Sequence, residues 1–483
     1  MAALPPRLRT VRSFGRAALL AGLSATALAA CATVPSPTPT RQAKAASSYA
    51  ATAALAGPAA DWPTDRWWAA YGDPQLDQLV QEALGGSPTL AVAEARLRKA
   101  ESQTAQARAA GLPHVSATAG VEEQKQSYHL GIPPEFVPQG YNDYGLLRLD
   151  FNWELDFWGK NRAAVAAAAS EARAAEADAA EARLMLSTSI ATAYAELARL
   201  YAEHDVDERA VDLQQQTSQL VRDRVANGLD TTGEQRQAEA QPLTSQAQLA
   251  SLDEQIALTK NRLAALLGDG PDRGLAIVRP ATATLKPFGL PATLSADLVG
   301  RRPDVAAARW RAEAASRRIK VAKASFYPNV NLAGFLGFQS LKLNQLFADG
   351  SDIGSIGPAL TLPIFEGGAL RASYRGAEAD RDAAVASYDA TLTEAFHQVA
   401  DAVTSERALK AELDSSRAAL AASEDAYRIA RLRYQGGLST YQSVLIAEQG
   451  VLARRRAVAD LDARAFALDV ALVRALGGGF HAA

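Results

Sequence analysis

Along residues 143–158 the chain alternates apolar and polar positions with a period of two. Leu147, Leu149, Phe151, Trp153, Leu155 and Phe157 fall on one side, and Arg148, Asp150, Asn152, Glu154 and Asp156 on the other. A helix would scatter these residues around its axis, so the segment predicts a strand with one apolar and one charged face. Ile356, Leu360, Leu362 and Ile364 repeat the device further on. Each strand follows another candidate, 114–128 and 328–341, across a loop rich in Gly, Pro, Asp and Asn, which makes four strands.

Elsewhere the period lengthens. No proline interrupts 159–227 or 367–435, and a helix of roughly 69 residues would extend about 100 Å. Seven-residue steps run through Leu392, Val399, Leu413, Leu420, Tyr427 and Tyr434, with Glu406 breaking the row, and through Val444, Val451, Val458, Ala465 and Leu472. Such steps imply left-handed supercoiling against a neighbour. Each long helix turns at a glycine break, Asn227-Gly228-Leu229-Asp230 or Gly436-Gly437-Leu438-Ser439, where Asp230 or Ser439 is placed to cap the returning helix. Pro242 stands where the second returning helix has Val451, and a kink is expected there.

These elements occur twice. Pro88 and Pro113 recur as Pro303 and Pro328, Phe157 and Gly159 as Phe365 and Gly367, and Leu229, Thr231, Leu267 and Gly268 as Leu438, Thr440, Leu476 and Gly477, collinear and about 210 residues apart. Proline, glycine and phenylalanine anchors keeping one register indicate a tandem duplication. The first repeat is read as 61–268 (strands about 114–158, long helices about 159–268) and the second as 303–477 (strands about 328–366, long helices about 367–477). A Pro- and Gly-rich connector, 269–302, lies between them, and 478–483 form a tail.

Composition narrows the partners. Of 483 residues, 50 are basic and 53 acidic, a net of -3 that offers nothing to a polyanion. Residues 1–30 read as an export signal: Arg7, Arg9, Arg12 and Arg16 precede a short apolar stretch of small residues. Leu28-Ala29-Ala30-Cys31 resembles a bacterial lipobox, so Cys31 is the candidate lipidation site; the alternative is an ordinary secretory signal with Cys31 incidental. Ala32 lacks the aspartate of inner-membrane retention, which favours the outer membrane. Residues 31–60, rich in Pro, Thr, Ser and Ala, read as a lipidated flexible tether.

After Cys31 no uncharged apolar run is long enough to span a bilayer as a helix, so strands must do any spanning. Four strands cannot close a barrel, and an open edge in lipid costs several kcal/mol per unsatisfied group, so closure requires further copies. The expected fold is an α+β membrane protein, a long coiled-coil helical barrel joined to a transmembrane β-barrel built from four strands per chain. One cysteine and five scattered histidines supply no metal-site spacing. Phosphate-loop, nucleophile-elbow and zinc-protease motifs are missing, so neither catalysis nor a cofactor is expected.

At this point the residues resemble a family. Cys31, Trp67-Trp68, Asp73-Pro74-Gln75-Leu76, Arg302-Pro303-Asp304-Val305, Ala324-Ser325-Phe326-Tyr327-Pro328, Arg433-Tyr434-Gln435-Gly436-Gly437-Leu438 and Ala475-Leu476-Gly477-Gly478-Gly479 together resemble the TolC-type outer-membrane factors, in the lipoprotein efflux branch similar to OprM and NodT. The resemblance implies a homotrimer with a twelve-stranded outer-membrane barrel and a twelve-helix periplasmic tunnel. It further implies a passive exit duct joined by a periplasmic adaptor to an inner-membrane RND-type transporter, with outer-membrane lipid around it and no nucleic acid.

The resemblance also places a gate just after the second tip. Tyr441 matches, whereas Gln442 and Ile446 stand where the family has apolar or acidic rings, so a constriction of mixed character near Tyr441, Gln442 and Ile446 is expected. Adaptor contacts are expected at Leu229, Asp230, Thr231, Leu438, Ser439 and Thr440. A duct for type I protein secretion, or for metal efflux, and a periplasmic adaptor lipoprotein are the competing readings; an adaptor should carry one hairpin in a small β-rich domain. A surface hydrolase lacks its motifs.

Overall fold

The computed structural model describes residues 34–38, 41–45, 48–49, 61–129, 131–281 and 300–481. The signal peptide, Cys31 and residues 282–299 of the connector lie outside them. The first copy runs α1 (Pro74–Gly86), α2 (Pro88–Ala109), β1 (His114–Gln124), β2 (Asn142–Glu154), α3 (Lys160–Ala226) and α4 (Thr232–Leu267). The second runs α5 (Pro303–Ala324), β3 (Asn329–Ser340), β4 (Asp352–Thr361), α6 (Ala369–Gln435) and α7 (Tyr441–Ala475). The duplication is legible in helix lengths: α2 and α5 have 22 residues each, α3 and α6 have 67 each, and α4 and α7 have 36 and 35. Of the described connector, Asp272–Leu275 forms a single helical turn.

The described residues form two compact units. The first, built from 98–173 and 309–387 with the N-terminal stretch up to 42, holds one antiparallel sheet in the order β1-β2-β3-β4. Its register carries the alternation read from β2 across every strand. Leu149 lies opposite Ala117 and Leu336, Leu147 opposite Ala119 and Phe338, Phe151 opposite Val115 and Gly334, and Gly334 opposite Ile356. Successive strand residues point to opposite faces, so one face carries a continuous apolar band, with Val115, Val121, Leu147, Leu149, Leu336, Ile356 and Leu360 exposed and the polar Glu123, Asp143, Ser340 and Asp352 only at its loop end. On the other face Arg148 pairs with Asp150 at 2.9 Å, Thr118 donates to Asp150, and the Arg148 guanidinium lies over the Phe335 ring. β1 and β4 are the two edges.

The sheet's central joint, β2 against β3, is also the seam between the two copies. It closes because position 337 is glycine. A Cβ there would sit 2.1 Å from the Leu147 carbonyl oxygen and 2.7 Å from Arg148 Cα.

The second unit contains 43–97, 174–308 and 388–483, and its largest core packs Trp67, Trp68, α1, Ile190, Tyr194, Leu197, Leu263, Leu267, Val470 and Val473. The motifs that carried the resemblance anchor this core. Asp73 caps α1 by accepting from Gln75 and Leu76 N–H, Pro74 takes the first turn where its missing N–H costs nothing, and Tyr194 O–H donates to the other Asp73 oxygen at 2.6 Å. Gln75 then pins the connector through both main-chain groups of Val278. In the second copy Arg302, 5% exposed, grips Asp304 with two nitrogens and donates to the Ala475 carbonyl, while Val305 enters a core with Leu392 and Val399.

The heptad row of α6 and α7 is the inward row. Leu392, Val399, Tyr434, Val444, Val451 and Leu472 are buried, and Leu413, Leu420, Tyr427, Val458 and Ala465 half-buried. Glu406 interrupts this row, and burial, with the Asp469 charge added, pushes its carboxyl up to about 7. An acid whose pKa is raised by folding is stable while protonated, and that stability is lost as pH rises from its ordinary value through the folded one. Glu406→Gln is therefore expected to raise the melting temperature at pH 8 and to change it little at pH 5; equal shifts at both would sink the assignment.

α4 continues through Pro242, whose buried ring lies inside the helix at the cost of one donor to the Ala238 carbonyl. Among the described residues of the stretch 31–60, read as a flexible tether, Thr38, Arg41, Lys44 and Tyr49 are bonded to α6. Main-chain donors make most of those bonds, and composition does not reveal them.

Candidate functional site

Both hairpin tips use one device. Gly228 and Gly437 adopt φ of 72° and 71°, a conformation that suits glycine. Leu229 N–H donates to the Arg224 carbonyl and Leu438 N–H to that of Arg433, closing matching Schellman turns. The turn throws the leucine outward, so Leu229 is 63% and Leu438 71% exposed. Thr231 and Thr440 are exposed beside them.

The caps fall one residue later than expected. Thr231, not Asp230, caps α4: its hydroxyl accepts from Glu234 N–H, and the Glu234 carboxylate accepts from Thr231 N–H at 2.8 Å, a reciprocal capping box. Thr440, not Ser439, occupies the cap of α7, without a side-chain bond. Ser443 stands where Glu234 stands in the first copy, so the second box has no returning carboxylate.

Asp230 is occupied elsewhere. Arg224 Nε donates to its Oδ2 at 2.9 Å, and the hydroxyl of Tyr434, from the second hairpin, donates to the same oxygen. Arg224 also donates to the Tyr434 carbonyl at 3.0 Å and lies 4.6 Å over its ring. With Arg224 and Asp230 side chains 14% and 7% exposed and Tyr434 fully buried, this is a dry cross-link between the two tips. Asp230 therefore offers little to an outside partner. The bond to Asp230 raises the Arg224 pKa, and burial, followed by that bond, raises the Tyr434 hydroxyl. Sequence reasoning did not reach Arg224, or the role of Tyr434, because the three residues meet across more than 200 positions; Tyr434's place on the heptad row was the one available signal.

The three candidate gate residues divide. Tyr441, 2% exposed, packs with Val221, Ala238, Tyr434, Val444 and Leu445 inside the tip, and burial pushes its hydroxyl up to about 12. Gln442 and Ile446 are exposed, Ile446 by 61%, and share a face one turn apart. Beneath them Glu448 is buried, which raises its pKa. Cys31 lies outside the described residues. Among the described residues His204, Asp205 and Glu208 bring ligand-type atoms together, but both Asp205 oxygens are taken by Arg279 at 2.8 and 2.5 Å and His204 faces Asp253. That group is an ion-pair surface.

The sequence matches the profile of the outer membrane efflux protein family over residues 79–269 and 294–478, one stretch per copy. The chain belongs to the outer membrane efflux protein family. It is 32% identical to the multidrug resistance outer membrane protein MdtP of Escherichia coli K12 over 428 residues, 87% of this chain and 88% of that one. It is 38% identical to the fusaric acid resistance protein FusA of Burkholderia cepacia over 326 residues, 66% of this chain and 61% of that protein. Among solved structures it resembles the outer membrane protein VceC of Vibrio cholerae with a TM-score of 0.82 and 47% identity over 87% of this chain and 100% of that one. The outer-membrane channel OprN gives 0.81 with 29% identity over 93% and 99%.

Membership places the chain in the outer membrane, reaching into the periplasm, as the exit duct of an efflux pump. Channels of this family form trimers, work with efflux pumps, and are not enzymes. The apolar face of the sheet is then the lipid face and the Arg148–Asp150 face the wet interior.

Proposed function

We propose that this chain is a lipid-anchored, homotrimeric duct in a tripartite pump, passing organic toxicants from an RND-type inner-membrane transporter and a periplasmic adaptor to the exterior without chemistry of its own. The observation that supports it most directly is the register of the four-stranded sheet, lipid-compatible on one face and charged on the other, with edges at β1 and β4. Edges in lipid must be paired, and three copies supply twelve strands. Cys31 carries the lipid. Organic toxicants rather than secreted proteins are favoured because relatives are named for multidrug and fusaric acid resistance.

Gln442 and Ile446 narrow the bore, backed by the buried Tyr441; Leu229, Thr231, Leu438 and Thr440 meet the adaptor, with Asp230 cross-linking the tips behind them. Single-channel recordings on the reconstituted trimer test the gate. Gln442→Ala with Ile446→Ala is expected to raise resting conductance several-fold, and an unchanged conductance removes both from the constriction. Cysteines at Leu229 and Leu438 should capture the adaptor in cells.

A further inference from the structure

Near the two tips, carboxylates at equivalent positions of the repeat stand in opposite surroundings. Glu239 on α4 and Glu448 on α7 correspond, about 210 positions apart like the hairpins that carry them. Glu239 is partly exposed, accepts from Gln235 at 2.9 Å and pairs with Arg236 at 2.8 Å, and those bonds hold it below the ordinary carboxylate range. Glu448 is 3% exposed, and among the described residues no basic side chain is paired with it. It lies where α7 packs on α3, just above the tip core of Val221, Tyr441, Val444 and Leu445. Gln214 bonds to it from α3, while Tyr427 on α6 and Tyr441 on its own helix are the titratable groups that feel its charge. Arg431 and Arg455 act on Tyr427 instead, and Arg455 is held by Glu424 at 2.7 Å.

Burial raises the Glu448 carboxyl above its ordinary value, and the hydrogen bonding at Gln214 points the same way independently. The Gln214 side chain meets the carboxyl, yet its own Oε1 is buried without a donor. An ionised carboxylate can only accept, so it leaves that oxygen bare. A protonated one has the O–H that Oε1 lacks, and a buried acceptor left without a donor is costly. The packed seam therefore favours the acid form. The first copy offers no such site: the α6 residue level with Gln214 is Ser423, whose hydroxyl donates back to Ala419 of its own helix at 2.8 Å.

We infer that Glu448 is a proton-held latch of the tip: packed against α3 it is protonated, and parting α7 from α3 releases the proton to the periplasm. Its effect on conduction rests on the reading that the tips close the duct; the release itself does not. Once parted, Glu448 meets water and holds a proton no more tightly than an ordinary carboxyl. Opening is thereby linked to pH. Below the ordinary glutamate range both states keep the proton, and pH changes nothing. As pH rises from that range through the raised value of the packed state, the parted state gains by up to about tenfold per pH unit for each chain. Above that window the gain is constant. Glu239, charged in its exposed setting, contributes none of this dependence.

Val444, fully buried in the tip core, reports parting when replaced by cysteine, and the test uses the full-length trimer in outer-membrane fractions. Labelling of Val444→Cys by a maleimide is measured from pH 5 to pH 8 with Glu448 present and with Glu448→Gln, a neutral side chain that supplies a donor to Gln214. The ratio of the two rates at each pH cancels the titration of the thiol. It should rise severalfold with pH, and the ratio formed with Glu239→Gln should stay flat. A flat ratio for Glu448→Gln, or the same rise for both substitutions, would overturn the latch. Leu445→Cys, buried in the same core, repeats the measurement should Val444→Cys lose the heat-sensitive oligomer. Open probability in single-channel recordings should climb over the same range in the native trimer and less steeply in Glu448→Gln. A rising labelling ratio with level open probability would keep the latch and remove the tips from the gate.

Discussion

Replacing Asp230 with alanine opens the channel at its tip. The substitution leaves Arg224, 14% exposed, without its carboxylate and takes from the Tyr434 hydroxyl the acceptor it reaches across from the second hairpin. Removing one partner of a buried, hydrogen-bonded pair costs about 3–5 kcal/mol. Even about 3 kcal/mol, spent on the state in which the two tips are cross-linked, shifts the balance toward parted tips by a factor on the order of 100. Resting single-channel conductance should rise, and cells should become permeable to solutes the closed duct excludes. Tyr434→Phe removes one of the bonds and should give a smaller rise in the same direction. Because both changes act on the same Asp230 oxygen, the double variant should fall well short of the sum. Unchanged conductance in Asp230→Ala, with an unchanged melting temperature, would show that the cross-link neither closes nor stabilises the tip.

Gly337→Ala is expected to abolish assembly in the outer membrane. Real Cβ atoms essentially never approach another heavy atom within 3.0 Å, and this one would meet the Leu147 carbonyl at 2.1 Å and Arg148 Cα at 2.7 Å. Both contacts are main chain, so no side chain can swing aside. β2 and β3 would have to part along a ladder that runs from Gly145 opposite Ser340 to Glu154 opposite Asn331. In lipid, backbone groups freed by that parting find no water, at several kcal/mol each. Gly334 and Gly357 grade the effect: a Cβ at 334 comes within 2.9 Å of the Ser355 carbonyl, and one at 357 meets nothing within 4 Å. The heat-sensitive oligomer should be lost in Gly337→Ala, reduced in Gly334→Ala and normal in Gly357→Ala. Equal assembly of all three would mean that the seam tolerates a wider gap than its geometry allows.

What could be read without coordinates followed from local periodicity. Leu147, Leu149 and Phe151 announce a strand because a period of two is a property of neighbours, and Leu392, Val399 and Tyr434 announce a buried helical row for the same reason. Gly228 and Gly437 mark turns because their conformation is local. The remainder depended on residues distant in sequence. Asp230 looked like a cap and is a cross-link, since Arg224 and Tyr434 outbid the helix for its oxygens and leave the cap to Thr231. Tyr441 looked like a lining residue and is buried, because one step around a helix separates it from the exposed Gln442. The N-terminal stretch looked free because its bonds to α6 use backbone donors that every residue owns. The Asp73-Pro74-Gln75-Leu76 run carried resemblance before it carried meaning; its meaning is a capped helix with Tyr194 and Val278 tied to it.

The seam between β2 and β3 also imposes an order of events on synthesis and export. Gly145 cannot meet Ser340 until about 200 further residues have been delivered, and pairing at such separation is slow compared with forming helices and hairpins from neighbours. Through that interval the newly exported chain carries β1 and β2 with an apolar face and an open edge, the features that make incomplete chains aggregate. The second strand pair is thus the late step that commits the molecule to the membrane, and for as long as it is missing the first pair has to be kept apart from other chains.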